Sequence, residues 1–342
     1  MAKSTQNIVA NYNYEVNKIS DSDVELTVTV NPEKVKEIQD KVYQELAKST
    51  EIAGFRPGKA PKDVIMQKIS SQVILNTYDR LVPEITAEIV AKENYKVLGK
   101  ISYDFKDNEK ASLVFTAKFP VLPALKLPDF SNLKIEREKV EVSDAEIEKV
   151  YNEVKEKSLE NKDKDTKPEV WIKELNIPNV TDKKQLEDFI KSSLETSKKQ
   201  TVEDNYLTNM IAEASKHANL IPSLIATENE IAIKEKNYRQ RIEKLGISVE
   251  DFLKTQNTTL EKLKEKWKLD AETALAADML FLTIANEYNL KVENSEVATE
   301  IANIPDPKVR VSYQTPKGQE SIFISLFRQK ALQKLKDLVE KK

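Results

Sequence analysis

One eight-residue segment, Gly54-Phe55-Arg56-Pro57-Gly58-Lys59-Ala60-Pro61, concentrates more binding chemistry than any other part of the chain. Two of the five glycines and two of the thirteen prolines fall within it, which implies an exposed, tight turn of fixed shape. Phe55 has little core to enter from such a position, and Arg56, Lys59 and Lys62 supply three positive charges in seven residues with no acid among them. Two readings follow. The segment is an ordinary helix-to-helix turn whose phenylalanine tucks back onto its own helices. Alternatively it is a contact tip, with Phe55 anchored in a partner's groove and Arg56 binding phosphate or carboxylate through two nitrogens.

Other chemistry is sparse. The chain has no cysteine and a single histidine, His217, so thiolate nucleophiles, thiolate or multi-histidine metal centres and most serine-histidine pairs are excluded. His217 shares a helical face with Leu207, Met210, Ile211 and Ala214 and reads as a packed or edge histidine. No catalytic residue and no metal ligand is assigned. Carboxylates are abundant, but a catalytic pair needs an apolar pocket and a fixed separation, and the pattern instead suits solvated helix faces. Trp171 and Trp267 are expected to pack helix junctions. The stripe Leu275, Met279, Leu282 and Ile284 suits a core, although a surface for unfolded chains would use the same residues.

The elements that position these residues follow from composition and periodicity. Glycine is scarce: 5 in 342 residues, where average usage would give about 24. Glycine-punctuated folds such as dinucleotide-binding turns and phosphate loops are therefore disfavoured. Charged residues make up 32% and lysine plus arginine nearly balance the acids, at 54 to 57, which argues against a general nucleic-acid coat. A period of two over 12–30 and 95–121 predicts strands, with Val24, Leu26, Val28 and Val30 on one face, then Leu113, Phe115, Ala117 and Phe119. Lys106-Asp107-Asn108-Glu109 reads as a hairpin turn after Ile101, Tyr103 and Phe105. Between the strand regions, Asn31-Pro32 opens a helix carrying Val35, Ile38, Val42 and Leu46, and Pro61 opens a second with Ile65, Ile69 and Val73. The N-terminal part is thus an α+β domain, an antiparallel sheet with helices over one face.

Everything after an extended connector, Pro120 to about Val142, reads as helix, giving a large all-α domain with helical arms. Ser143 with Glu146, and Thr258 with Glu261, fit the capping box. Gly246 reads as a C-cap and Ser248 as the next N-cap. Helices are expected at about 182–219, 222–245, 248–256, 258–290, 295–303 and 316–340. Residues 160–169, ENKDKDTKPE, contain no apolar anchor and read as a linker.

The loop resembles the G-F-R-x-G-x-x-P signature of trigger factor, a bacterial ribosome-associated chaperone family, at Gly54, Phe55, Arg56, Gly58 and Pro61. Residues 23–122 resemble that family's ribosome-binding domain, and 220–290 its C-terminal helical domain, with weaker similarity to about Val339. The resemblance implies that Gly54, Phe55, Arg56, Gly58, Lys59 and Pro61 form the ribosome-binding site, and that helical arms cradle nascent chains. Three segments follow: a ribosome-binding domain at 1–121, a linker and first body helix at 122–169, and a chaperone domain at 170–342. Family members usually insert a glycine-rich prolyl isomerase domain of the FK506-binding type. Here no glycine occurs between Gly99 and Gly246, and such a domain does not fit within 160–169.

The expectation is an ATP-independent holdase without cofactor and not an enzyme. Its implied partners are the large-subunit protein and RNA at the ribosomal exit tunnel, together with nascent or unfolded polypeptides. A homodimer stays open. No membrane partner is expected: the N-terminal residues show no secretory h-region and ALAADMLFLTIA is too short and polar to span a bilayer, which suggests a cytoplasmic protein. The rival readings are a prolyl isomerase with a degenerate site and an extracytoplasmic holdase.

Overall fold

The computed structural model describes residues 5–56, 59–106, 112–160 and 166–340. These fall into two compact units, one made of Met1–Pro128 with Ala218–Leu332 and the other of Asp129–His217 with Gln333–Lys342. An antiparallel sheet opens the first unit, with strands β1 (Thr5–Val9), β2 (Tyr12–Lys18), β3 (Asp23–Val30), β4 (Ser102–Lys106) and β5 (Leu113–Pro120). Their order is β1-β2-β3-β5-β4. The alternation in the sequence sets the register: Val24 lies opposite Phe119, Leu26 opposite Ala117, Val28 opposite Phe115 and Val30 opposite Leu113. All eight are buried, so β3 and β5 present one continuous apolar face.

Helices α1 (Pro32–Ser49) and α2 (Lys62–Lys92) cover that face. Val35, Ile38 and Val42 of α1 are buried as the helical spacing predicts, while Leu46 lies at the margin and Ala47 is buried in its place. The helix opened at Pro61 runs on past Val73 and continues through Pro83 to Lys92. Proline supplies no N–H there, so the carbonyl of Asp79 loses its helical partner. The sequence expectation for Asn31 is corrected in one respect. It occupies the N-cap position with Pro32 next, but its amide donates to the Ala10 carbonyl at 3.0 Å and so holds the β1–β2 turn. The expected hairpin turn after Lys106 falls at 107–109, outside the described residues.

Also in the first unit, α6 (Leu224–Glu243), α7 (Val249–Thr255) and α8 (Leu260–Glu287) form a helical hairpin, followed by α9 (Asn294–Ala302), α10 (Pro307–Tyr313) and most of α11 (Pro316–Val339). Tyr238 of α6 packs edge-on to Trp267 of α8 at 5.6 Å and meets Phe252 of α7 at 6.3 Å, closing the end of the hairpin. Ser248 caps α7 and Gly246 adopts φ 72°, both as expected. The expected capping box at Thr258 is displaced: Thr259 caps α8 by accepting the Lys262 N–H, which leaves no acid at the third helical position. Periodicity did not reveal the short helix α10, because none of its residues is buried.

The second unit holds α3 (Asp144–Ser158), α4 (Pro168–Glu174) and α5 (Lys183–His217). Trp171 of α4 is fully buried against Tyr151 at 5.8 Å, so part of the expected linker is helix; residues 161–165 lie outside the described residues. Ser143 and Glu146 form the capping box on α3. Glu146 also receives Lys198 of α5, and these donors lower its pKa to about 2. Arg137 in the connector lies 4.0 Å over the Tyr206 ring and pairs with Glu203 and Glu340. His217 is exposed beside Phe130, with ring centroids 6.3 Å apart, and does not enter the core face of its helix.

Six asparagines, Asn94, Asn176, Asn179, Asn219, Asn257 and Asn289, adopt positive φ, and most of them follow a helix end. After α2, Tyr95 N–H reaches back to the Val90 carbonyl at 3.0 Å and Asn94 N–H to Ala91, the paired bonds of a Schellman ending. Asparagine tolerates this left-handed geometry better than other residues with a Cβ but less well than glycine. Asn94→Gly should therefore raise stability by up to about 1 kcal/mol and Asn94→Ala lower it by about 1 kcal/mol, both read by urea unfolding of the intact chain.

Candidate functional site

The loop between α1 and α2 is fixed at both ends. At its start the Thr50 hydroxyl donates to Leu46 at 2.7 Å, and Ile52 packs half-buried on the sheet–helix core. Phe55 N–H then donates to the Ile52 carbonyl at 3.0 Å, closing a four-residue turn whose third residue is Gly54. Gly54 has φ 86°, and a Cβ built there would touch nothing. Glycine is needed here for its backbone conformation and not for space. Lys68 of α2 reaches across to the Glu51 carbonyl at 2.7 Å. At the far end Lys59 N–H donates to the Arg56 carbonyl at 2.9 Å, Ala60 packs on the core, and the Pro61 carbonyl accepts Ile65 N–H to start α2.

The turn leaves Phe55 46% exposed and Arg56 and Lys59 exposed, and neither cation forms an ion pair among the described residues. Gly58 lies outside the described residues, as does Pro57. Lys62 differs from the other two cations. Its ammonium lies 3.5 Å from Asp40 and 5.1 Å over the Tyr43 ring, so it leans onto α1. Both partners are largely exposed, which makes this a weak tether. Below the loop, Arg80 of α2 binds both carboxylate oxygens of Glu45 on α1, and this pairing holds Glu45 below the usual carboxylate range. The residues that hold the loop, Lys68 above all, are not marked in the sequence, because their partners are distant along the chain and one is a backbone carbonyl.

A second surface lies on the helices of the first unit. The α6–α8 hairpin exposes Ile233, Leu245, Ile247 and Leu269, with Leu269 65% exposed. Leu275, Met279 and Leu282 of α8 face Phe323, Ile324 and Phe327 of α11 across a cavity of about 330 Å³ with a largely apolar lining. The stripe read from the sequence therefore divides. Met279 and Ile284 are buried, while Leu275 and Leu282 are half-buried and line the cavity. Arg328 and Asp278 pair at 2.8 Å on its rim. Phe323 also borders a second cleft, beside Val297 and Ile301 of α9.

These geometries separate folding from surface chemistry. Phe55→Ala and Arg56→Ala should each change unfolding free energy by less than about 0.5 kcal/mol, because both side chains are exposed. Gly54→Ala should lower it by roughly 1–2 kcal/mol through backbone strain. Equilibrium denaturation of the three variants checks the contrast.

The family model described as bacterial trigger factor protein matches residues 12–154, and that for the trigger factor C-terminus matches 184–340. A trigger factor of Macrococcus caseolyticus is 23% identical over 376 aligned positions, covering 82% of this chain and 88% of the relative. One of Halalkalibacterium halodurans is 21% identical over 416 positions, covering 92% and 96%. One of Frankia casuarinae is 35% identical over 132 residues, which are 38% of this chain and 27% of the relative. A solved structure from work on promiscuous substrate recognition in folding and assembly by the trigger factor chaperone superposes with a TM-score of 0.55 at 14% identity, over 95% of this chain and all of that one. Among the described residues no helix is long and apolar enough to cross a membrane. With one family's models matching on both sides of 155–183 and relatives aligned over most of its length, the chain belongs to the trigger factor family of chaperones.

Proposed function

We propose that this chain is an ATP-independent chaperone of the cytoplasm that docks beside the ribosomal exit tunnel through Gly54, Phe55, Arg56, Gly58, Lys59 and Pro61, and shields emerging polypeptides with its helices. The observation that carries this reading is the pairing of a loop anchored at both ends with a phenylalanine and two cations that the rest of the fold leaves unused. Such a loop loses little entropy on binding, so a few side chains can supply most of the energy. Residues 1–121 act as the docking domain, 122–169 as linker and first body helix, and 170–342 as the chaperone domain.

The reading includes the lack of an isomerase domain. The alignments to the Macrococcus and Halalkalibacterium relatives run over more positions than the 342 residues of this chain, so those relatives carry residues that have no counterpart here. The stretch 155–183 between the matched family segments is short and includes α4, whose Trp171 belongs to the helical core.

Co-sedimentation tests the docking. Replacing Phe55, Arg56 and Lys59 together by alanine should abolish binding to ribosomes while leaving helical circular dichroism unchanged; wild-type binding by that variant overturns the assignment. Binding by the wild-type chain should weaken as salt rises, since Arg56 and Lys59 would meet RNA phosphate.

Client protection is assigned to the exposed apolar side chains of α6, α8 and α11. Holding without nucleotide requires weak, multiple and reversible contacts, which scattered apolar patches among charged residues provide. The intact chain should suppress aggregation of a chemically unfolded client at near-stoichiometric ratios in a light-scattering assay. Phe323→Asp with Ile324→Asp should weaken protection several-fold without changing ribosome binding. Undiminished protection would remove α11 from the client surface.

A further inference from the structure

Strand β3 begins with a carboxylate that is buried completely, Asp23, and three of its four hydrogen-bond donors come from a distant part of the chain. One oxygen accepts the Leu224 N–H at 3.0 Å and the Ser20 hydroxyl at 2.9 Å. The other accepts the Ile225 N–H at 3.3 Å and the hydroxyl of Ser223. Leu224 and Ile225 are the first two residues of α6, some two hundred positions away. Ser223 hands the arrangement on, since its oxygen accepts the Ala226 N–H at 2.9 Å and its carbonyl accepts that of Thr227. The N–H groups of Leu224, Ile225 and Ala226, which a helix start leaves without an intrahelical partner, are thereby satisfied, two of them by a residue of the sheet, and the Thr227 bond begins the helical ladder. Alongside, the Ser22 hydroxyl donates to the Ile221 carbonyl at 2.7 Å, and the Ser22 carbonyl accepts Val121 N–H at 2.9 Å.

A buried carboxylate is tolerated only where hydrogen bonds replace those of water. Here the partners are two hydroxyls, two backbone N–H groups and the positive end of the α6 dipole. No such site forms unless the β2–β3 turn and the start of α6 are both in place. We propose that Asp23 is a latch that joins the N-terminal sheet module to the α6–α8 hairpin as one mechanical and folding body, fixing the direction in which the hairpin leaves the module. Ser20, Ser22 and Ser223 act as positioning residues for it. The latch is independent of whether the α1–α2 loop meets a ribosome, because it depends on none of that loop's residues.

The test is hydrogen exchange on the full-length chain carrying Asp23→Asn, with Ser223→Ala as a second, milder variant. In both, the amides of Leu224, Ile225 and Ala226 should exchange at least tenfold faster than in wild type, while ladder amides of β3 and β5 stay protected. Limited proteolysis should open new cleavage at 218–222. The double variant should match Asp23→Asn alone at Leu224 and Ile225 and exceed it only at Ala226, whose N–H Ser223 caps directly. Unchanged exchange at the start of α6, or a parallel loss of protection in the β3–β5 ladder, would overturn the proposal and leave Asp23 an ordinary core residue. Should Asp23→Asn not accumulate as folded protein, exchange of the Leu224 and Ile225 amides in Ser20→Ala, which removes a donor to Asp23 and leaves the α6 cap intact, decides the question.

Discussion

The constraint on which the rest of this structure depends is the scarcity of residues that can turn the chain. Long helices must be ended and reversed many times, yet only five glycines are available. Asparagine takes over the left-handed position at ordinary helix ends, where the local side-chain amide eases a conformation that other side chains resist. Glycine is thereby freed for places asparagine serves less well. At Gly318 an added Cβ would clash with the Tyr313 backbone, and its absence allows α10 and α11 to meet at a close corner. At Gly54 the requirement is the dihedral angle, in a loop where strain would disturb the display of its neighbours.

Apolar residues are apportioned as unevenly as glycines. In the N-terminal module the strand periodicity and two helical stripes converge on one core, and nearly every large apolar side chain of β3 and β5 is consumed there. The helices of the first unit's later part are narrower in their apolar faces. Pairing α6 with α8 buries Ala226, Ile242 and Met279 but leaves Ile233, Leu245 and Leu269 in water. The surrounding ion pairs, Lys264 with Glu235 and Arg328 with Asp278, keep such a surface soluble without covering it. A packed module and an incompletely packed helical body are therefore two outcomes of one composition, set by whether sheet or helix pairing is available.

What the sequence disclosed divides along the same line. Period-two and helical spacings identified β3, β5, α1, α2 and the long helices, because burial of one face imposes those periods directly. Helix ends were read where a serine or glycine marked them, as at Ser143, Ser248 and Gly246. Asparagine endings were not, since asparagine is equally common on solvated faces. The loop motif was visible through composition, but the departure of Lys62 toward Asp40 was not, since it depends on how α1 and α2 pack. Asp23 was the hardest of all. In the strand pattern it alternates as a polar, outward residue, and only the arrival of α6 makes it the most buried carboxylate of its strand.

If the loop docks as proposed, its energetics suit a contact that forms and breaks repeatedly. Phe55 is already half covered in the free chain, so full burial in a partner adds about 1 kcal/mol of the roughly 1.5–3 kcal/mol that complete burial of such a side chain gives. A charge-assisted bond from Arg56 contributes about 1.5–3 kcal/mol. Against these stands the loss of translational and rotational freedom, at least about 4 kcal/mol. The two side chains thus come close to balancing association without leaving a large surplus, and the remainder must come from Lys59 and more distant electrostatic contacts. Those contacts are screened by salt and lack strict geometry. On the proposed docking, the turn would determine where the chain binds and the diffuse positive charge how fast it arrives.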